Sequence, residues 1–373
     1  VLGEHRIEDF RGRDMILKAA GVQLDSPYIA EARSHGVPIE MSAALFARLS
    51  GIPVIGVTGT RGKSTTTHLI HHVLSETTDA EVLLGGNVRG VSNLALLDEV
   101  TDDNVAVLEL DSWQLQGFGE AKISPHIAVL TNFLDDHLNY YHGDRDAYFA
   151  DKAQIFLHQG DGDTFVTTPE VFAKAEAYMK LQGKEFVQAV VLVDESSVPS
   201  EWTIPLPGVH NRRNVALARA ALNAAGLDDD TIRAGIETFK ALPGRLEFLG
   251  EYKGTKIYND NNATTPDATI AALRAVGSDE KNVVLIIGGD EKNLDVSELL
   301  TEIPRTCSKV VLFKERGTDR IRDAVFAMKD EGIEVYEEEG LSATVERAFA
   351  VARPGETVLY SPAFSSFGKY FKN

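Results

Sequence analysis

Residues 53–64 read Pro53-Val54-Ile55-Gly56-Val57-Thr58-Gly59-Thr60-Arg61-Gly62-Lys63-Ser64. An apolar run ends in a glycine-rich turn, and the turn opens a helical pattern at Thr65-Thr66-Thr67-His68-Leu69-Ile70. In such a strand–turn–helix, glycines let backbone N–H groups close on phosphate oxygens. The helix N-terminus adds positive potential, Lys63 adds charge, and the Ser64 hydroxyl can reach a magnesium ion. The spacing is not that of the strict P-loop, because Val57 stands where its first glycine belongs. The plain structural alternative is a tight turn, for which Gly-Lys-Ser-Thr has little other purpose.

The same alternation runs outward from this stretch. Apolar runs at 53–58, 104–110, 126–132, 164–168, 255–260, 282–288, 309–313 and 356–360 predict strands. Helical patterns at 64–75, 146–158, 214–225, 266–276 and 318–330 separate them. The strands are continuous apolar runs, which marks strands buried on both faces of a parallel sheet and an α/β class. One boundary is expected near 49–52, just before the phosphate turn. A second is expected at Leu242-Pro243-Gly244, where a helix meets a Pro-Gly breaker. The expected parts are therefore 1–48, 49–242 and 243–373. The first is too short for a full domain and is expected to be the remainder of one; Val1 in place of Met points the same way.

A length of 373 residues suits two or three domains. The net charge of −19 argues against binding along a nucleic-acid backbone, which needs a basic face. Cys307 is the only cysteine, so no internal disulfide can form, as suits a reducing cytosol. No apolar run approaches the roughly 20 residues of a membrane span. Glu337-Glu338-Glu339 is expected on a solvated edge.

Further segments carry candidate chemistry. Glu109 ends a predicted strand and leads into Asp111-Ser112-Trp113-Gln114-Leu115. A carboxylate there, near a phosphate loop, is placed to hold magnesium through oxygen. His137 follows Thr131-Asn132-Phe133-Leu134-Asp135-Asp136 at another strand end; a lone histidine is more often packed or solvated. Lys152, within Tyr148-Phe149-Ala150-Asp151-Lys152-Ala153-Gln154-Ile155-Phe156, reads by itself as a solvated helix face. In Gly208-Val209-His210-Asn211-Arg212-Arg213-Asn214, two amides offer donors and acceptors, and Asn211 could equally cap a helix. Leu242-Pro243-Gly244-Arg245-Leu246-Glu247, Tyr258-Asn259-Asp260-Asn261-Asn262-Ala263-Thr264, Gly288-Gly289-Asp290-Glu291-Lys292 and Ser361-Pro362-Ala363-Phe364-Ser365-Ser366-Phe367 complete the set.

Together these segments resemble the Mur ligases and their relatives, the folylpolyglutamate synthetases, from about Leu24 onwards. Gly59–Thr66 is similar to the family's G-T-x-G-K-[ST]-T loop, the Glu109 segment to E-x-S-[SF]-Q-L, and the His137 segment to N-[VI]-x-x-D-H-[LM]. Lys152 matches K-x-x-I-[FY], and Asn211 with Asn214 match G-x-H-N-x-x-N. The resemblance implies a multi-domain architecture: a central P-loop-type parallel sheet, a Rossmann-like C-terminal domain and a partial N-terminal UDP-binding domain. It implies ATP bound by Gly59, Thr60, Gly62, Lys63, Ser64, Thr65, Asn211, Arg245 and Asp260. It implies two magnesium ions held by Ser64, Glu109, His137 and a carbamylated Lys152. Lys63, Lys152, His137 and Asn214 take catalytic roles, and Asn87, Lys292, Ser366 and Phe367 bind substrate. Asp111 stands where serine is usual, Gly244 where histidine is, and Asn262 where lysine is.

The Asn-Asp-x-x-Ala-Thr segment resembles that of the D-glutamate-adding branch. The implied reaction is ATP-dependent addition of D-glutamate to UDP-N-acetylmuramoyl-L-alanine through an acyl phosphate. This is a step of peptidoglycan precursor synthesis, on which cell shape and division depend, and a cytoplasmic monomer is expected. Another Mur ligase or a folylpolyglutamate synthetase is the near alternative. A catalytically weakened nucleotide-binding regulatory protein is the distant one, suited by Gly244, Asn262 and the short N-terminal part.

Overall fold

The structure is a computed structural model that describes residues 4–137, 140–291 and 293–365. The chain divides into two compact units, Val1–Thr203 with Arg213–Phe239, and Ile204–Arg212 with Lys240–Asn373.

The first unit opens with β1 (Ile16–Leu17), α1 (Pro27–Ser34), β2 (Ile39–Glu40) and α2 (Ser42–Ser50). There β1 and β2 pair in parallel over a small apolar cluster of Ile29, Ala32, Val37 and Ile39. The main sheet follows: β3 (Val54–Thr58), α3 (Lys63–Thr77), β4 (Val82–Gly86), β5 (Val105–Glu109), α4 (Ser112–Ala121), β6 (Ile127–Leu130), α5 (Arg145–Ala153), β7 (Thr164–Thr167), α6 (Pro169–Leu181) and β8 (Ala189–Leu192). Then come α7 (Val209–Ala224), whose first four residues are counted with the second unit, and α8 (Asp229–Thr238). The order β4-β5-β3-β6-β7-β8 is parallel throughout. Strand β3 is buried at every position, as its apolar run requires between two helical layers. Residues 1–48 do not separate as a unit. Ala43, Ala44 and Phe46 of α2 lie in the core of the first unit, and a Cβ added at Gly117 of α4 would come within 3.2 Å of the Ala44 Cβ.

The second unit contains β9 (Glu247–Tyr252), β10 (Thr255–Asn259), α9 (Pro266–Val276), β11 (Val283–Ile287), α10 (Ser297–Thr306), β12 (Cys307–Phe313), α11 (Arg316–Ala327), β13 (Glu334–Glu338), α12 (Leu341–Val351) and β14 (Thr357–Tyr360). Its sheet runs β13-β12-β11-β14-β10-β9, with β9 antiparallel to β10. Its core has Leu285, Ile287, Val310 and Leu312 on one face of the sheet, and Val284, Ile286 and Val311 on the other.

Each predicted strand is present, most of them trimmed by a residue or two. Six of the described strands went unpredicted: β1 and β2 of the two-stranded sheet, and β4, β8, β9 and β13 at the edges of the six-stranded sheets. Strands β9 and β13 are largely exposed or half-buried and are interrupted by glutamates, so they lack a continuous apolar run, whereas β4 and β8 carry short apolar runs that the sequence reading passed over. The expected helix at 146–158 is α5, which stops at Ala153, where Ser124 Oγ donates to the Gln154 carbonyl at 2.7 Å. The expected helix at 214–225 begins earlier, at Val209. The three consecutive glutamates run along and just past edge strand β13. Each is paired: Glu337 with Arg322, Glu338 with Arg347 and Glu339 with Lys314. Among the described residues, no helix is long and apolar enough to cross a membrane.

Candidate active site

In the first sheet the chain leaves β3 toward β4 and leaves β6 toward β7, on opposite sides. The C-terminal ends of neighbouring β3 and β6 therefore form a topological switch point, where open α/β sheets bind ligands. The phosphate turn follows β3, and the segment ending in His137 follows β6. Thr58 is in register with Leu130 and Val57 with Glu109, so three predicted motifs emerge at one edge.

Hydrogen bonds lace these loops together. The Asn132 amide grips the Arg61 peptide from both sides: Oδ1 accepts from the Arg61 N–H at 2.8 Å, and Nδ2 donates to the Arg61 carbonyl at 3.0 Å. Thr131 Oγ1 donates to the same carbonyl at 2.5 Å. The Thr60 hydroxyl accepts from the Leu134 N–H at 2.9 Å. Glycine is required twice in the turn. Gly59 has φ +145°, and a Cβ there would lie 1.9 Å from Thr131 Oγ1. Gly62, the N-cap of α3, has φ +82°, and a Cβ there would lie 2.4 Å from Asn214 Oδ1. The second glycine thus brings Asn214 against the phosphate turn. The Lys63 ammonium donates to the carbonyls of Gly59 and Thr60 at 3.0 and 3.1 Å.

Glu109 is 5% exposed. Its backbone carbonyl accepts from the Asn87 N–H at 2.7 Å, so Asn87 is placed at the same sheet edge. Asp111, in the serine position, is the N-cap of α4 and forms a capping box with Gln114. That accounts for its departure structurally, since aspartate caps as well as serine. His137 has φ +54°, its ring centroid lies 4.8 Å from that of Trp113, and its Nε2 is 3.8 Å from Asp136 Oδ2. Asp136 also accepts from Arg61 at 2.7 Å. Asp135 is half exposed and pairs with Arg145.

Lys152 is only 1% exposed, contrary to its reading in isolation as a solvated helix residue. It lies on α5, which Asp144 caps by accepting from the N–H groups of Asp146 and Ala147. Its Nζ donates to the Gly59 carbonyl at 2.8 Å and sits 4.9 Å from the Tyr148 ring centroid. Burial, and then the positive charge of Lys63, hold its ammonium well below the ordinary lysine range. Sequence reading passed over Tyr148. Its signal was its position four residues before Lys152, on the same helical face. The Tyr148 hydroxyl is 3.4 Å from the Thr60 hydroxyl, and burial raises its pKa.

Asn211 and Asn214 are both buried in the first turns of α7. Asn211 lies within the helix and donates from Nδ2 to the Pro207 carbonyl at 2.8 Å. In the second unit, Arg245 is exposed and follows Gly244. Asp260 closes β10; its Oδ1 accepts from the Leu246 N–H at 2.9 Å and its Oδ2 from the Ser361 hydroxyl at 3.0 Å. Burial raises its carboxyl to about 6 against those hydrogen bonds and the Arg245 charge. Lys292, Ser366 and Phe367 lie outside the described residues.

A magnesium ion fits the chemistry of this edge. A buried carboxylate and a hydroxyl at a helix start supply hard oxygen donors. No three His, Cys, Asp or Glu side chains group as a ready-made metal cage among the described residues.

The turn, the helix it opens and the switch point define a phosphate-binding α/β unit of the P-loop type. The Mur ligase middle domain matches residues 57–189, and the Mur ligase glutamate ligase domain matches 244–364. The UDP-N-acetylmuramoylalanine–D-glutamate ligase of Roseiflexus sp. (strain RS-1) is 35% identical, over 99% of this chain and 84% of its own length. That of Listeria monocytogenes serovar 1/2a is 31% identical, over 99% and 82%. The chain belongs to the Mur ligase family. Among solved structures, the UDP-N-acetylmuramate–alanine ligase of Thermotoga maritima superposes with a TM-score of 0.65 at 21% identity, over 97% of this chain and 84% of that one. The Mycobacterium tuberculosis folylpolyglutamate synthase does so with 0.64 at 18%, over 87% and 92%. Both share the fold.

Proposed function

We propose that this ligase adds D-glutamate to UDP-N-acetylmuramoyl-L-alanine at the expense of ATP, in peptidoglycan precursor synthesis. The observation that carries the reading is the meeting of Lys63, Asn214 and Lys152 around one laced phosphate turn, beside the strand that ends at Glu109, in a chain with this degree of identity to D-glutamate ligases.

The γ-phosphoryl group of ATP passes to the alanyl carboxylate, giving an acyl phosphate and ADP. The D-glutamate amine then attacks the acyl carbon, the amide bond forms, and phosphate leaves with the bonding electrons. Such transfer depends on positioning and charge neutralisation. Backbone N–H groups of Gly59, Thr60, Gly62, Ser64 and Thr65 cradle the phosphates, and Lys63 leaves the loop carbonyls to meet them. Ser64, Glu109, His137 and a carbamylated Lys152 would hold magnesium, which would supply charge neutralisation when bound. Asn214 orients the reacting group. Asn211, Arg245 and Asp260 belong to the nucleotide, and Asn87, Lys292, Ser366 and Phe367 to the substrates. Residues 1–48, 49–242 and 243–373 serve the UDP moiety, ATP and the amino acid respectively, in a cytoplasmic monomer.

The test is phosphate release from ATP with UDP-N-acetylmuramoyl-L-alanine while the amino acid is varied. Turnover is expected only with D-glutamate and only with both substrates present. Equal turnover with L-glutamate, L-lysine or a folate would overturn the assignment.

A further inference from the structure

Gly244 and Asn262 both depart from the residues usual in the resembled segments, and in the second unit they meet. Gly244 is left-handed at φ +69°, and a Cβ there would lie 1.9 Å from Asn261 Oδ1 and 2.7 Å from Asn262 Nδ2. No side chain fits at 244 while the asparagines stay in place. Asn262 uses the room. Its Nδ2 donates to the carbonyls of Pro243 and Gly244 at 3.2 and 3.1 Å, and its backbone N–H donates to the Gly244 carbonyl at 3.0 Å. On the far side of Arg245, Leu246 is also left-handed, at φ +49°, and its N–H is held by Asp260 Oδ1 at 2.9 Å. The carbonyl before Arg245 and the amide after it are thus both tied to the segment 260–262.

A left-handed non-glycine residue persists only where its surroundings hold it. The aim of a long arginine side chain starts from the backbone turn that presents it. We propose that Asn262 is a positioning residue for Arg245: with Gly244 making room, its amide fixes the turn that aims the guanidinium. Gly244 and Asn262 thus act together: the position without a side chain leaves the space into which the Asn262 amide reaches.

The inference rests on the reading of Arg245 as a nucleotide contact, and the test separates the two. ATP affinity is measured by calorimetry on the full chain, for Asn262→Ala and Gly244→Ala, each with Arg245 intact and with Arg245→Ala. Both substitutions are expected to weaken ATP about 5- to 10-fold when Arg245 is present and less than about 2-fold when it is absent, the non-additivity of residues acting through one group. Asn262 is exposed, so its variant folds even where Gly244→Ala does not. Equal losses in both backgrounds, or no loss in either, would overturn the positioning role alone. Arg245→Ala with unchanged ATP affinity would overturn the nucleotide reading, and this inference with it.

Discussion

A lysine side chain at 1% exposure, between the Gly59 carbonyl and the Tyr148 ring, is in an environment that disfavours its ammonium. A neutral amine there can bond to the carbon of CO2 and release a proton. The resulting carbamate has the opposite charge and two hard oxygens, which suits magnesium. Lys152→Ala is expected to lower turnover by orders of magnitude, and millimolar acetate to restore part of it by filling the vacated position. Lys152→Arg is expected to stay inactive with acetate, because the guanidinium keeps both the volume and the charge. A carbamate carbon signal after labelling with 13C-bicarbonate, absent from Lys152→Ala, is the direct measurement. An active Lys152→Ala enzyme without added carboxylate would remove the carbamate from the mechanism. The sequence in isolation favoured the opposite environment for this residue. A lysine on an amphipathic helix is ordinarily solvated, and α5 reveals its buried face only once the phosphate turn packs over it.

At the scale of elements, the β3 turn and the β6 loop behave as one piece, because Asn132 satisfies both the N–H and the carbonyl of Arg61. Asn132→Ala leaves both groups without these partners. It is expected to lower the unfolding free energy by about 1–3 kcal/mol, the usual cost of a partly buried polar group losing its hydrogen bonds, and to weaken ATP binding. Urea midpoint and nucleotide affinity report the two effects. Unchanged values for both would mean the loops are independent. The strand–turn–helix around β3 was legible because backbone-demanding glycines and a helix start leave local signals. The edge strands β9 and β13 were not, because half-exposed strands interrupted by glutamates carry no continuous apolar run. Asp111 showed only as a departure in sequence; its role as the α4 N-cap needed the helix start to be seen.

At the scale of the molecule, ionisation of buried carboxylates shapes stability against pH. Asp260 titrates at about 6 in the folded chain against an ordinary 3.8. A raised carboxyl pKa means the folded state holds the proton longer. Its destabilising contribution is therefore absent below pH 3.8, grows as pH rises through the window to about 6, and is complete above it. The full effect is roughly 3 kcal/mol. Asp260→Asn can keep the Leu246 and Ser361 contacts with no charge to bury. Its Tm relative to wild type is expected to be near zero difference at pH 4 and to rise by several degrees above pH 6, while ATP affinity falls. A Tm difference that does not change between pH 4 and 7 would show that Asp260 ionises as an ordinary carboxylate.

Local sequence determined the α/β class, the position of the phosphate turn, and the identity of the motif residues, because glycine geometry, apolar runs and helix starts are written within a few consecutive residues. Tertiary structure alone decided the rest. It chose the strand order that makes the ends of β3 and β6 a topological switch point. It buried Lys152 beside Lys63, and it set Asn214 against Gly62 and Asn262 against Gly244. Hydrogen-bond satisfaction, desolvation and steric room depend on which distant segments pack together, and none of them is a property of a residue's neighbours along the chain.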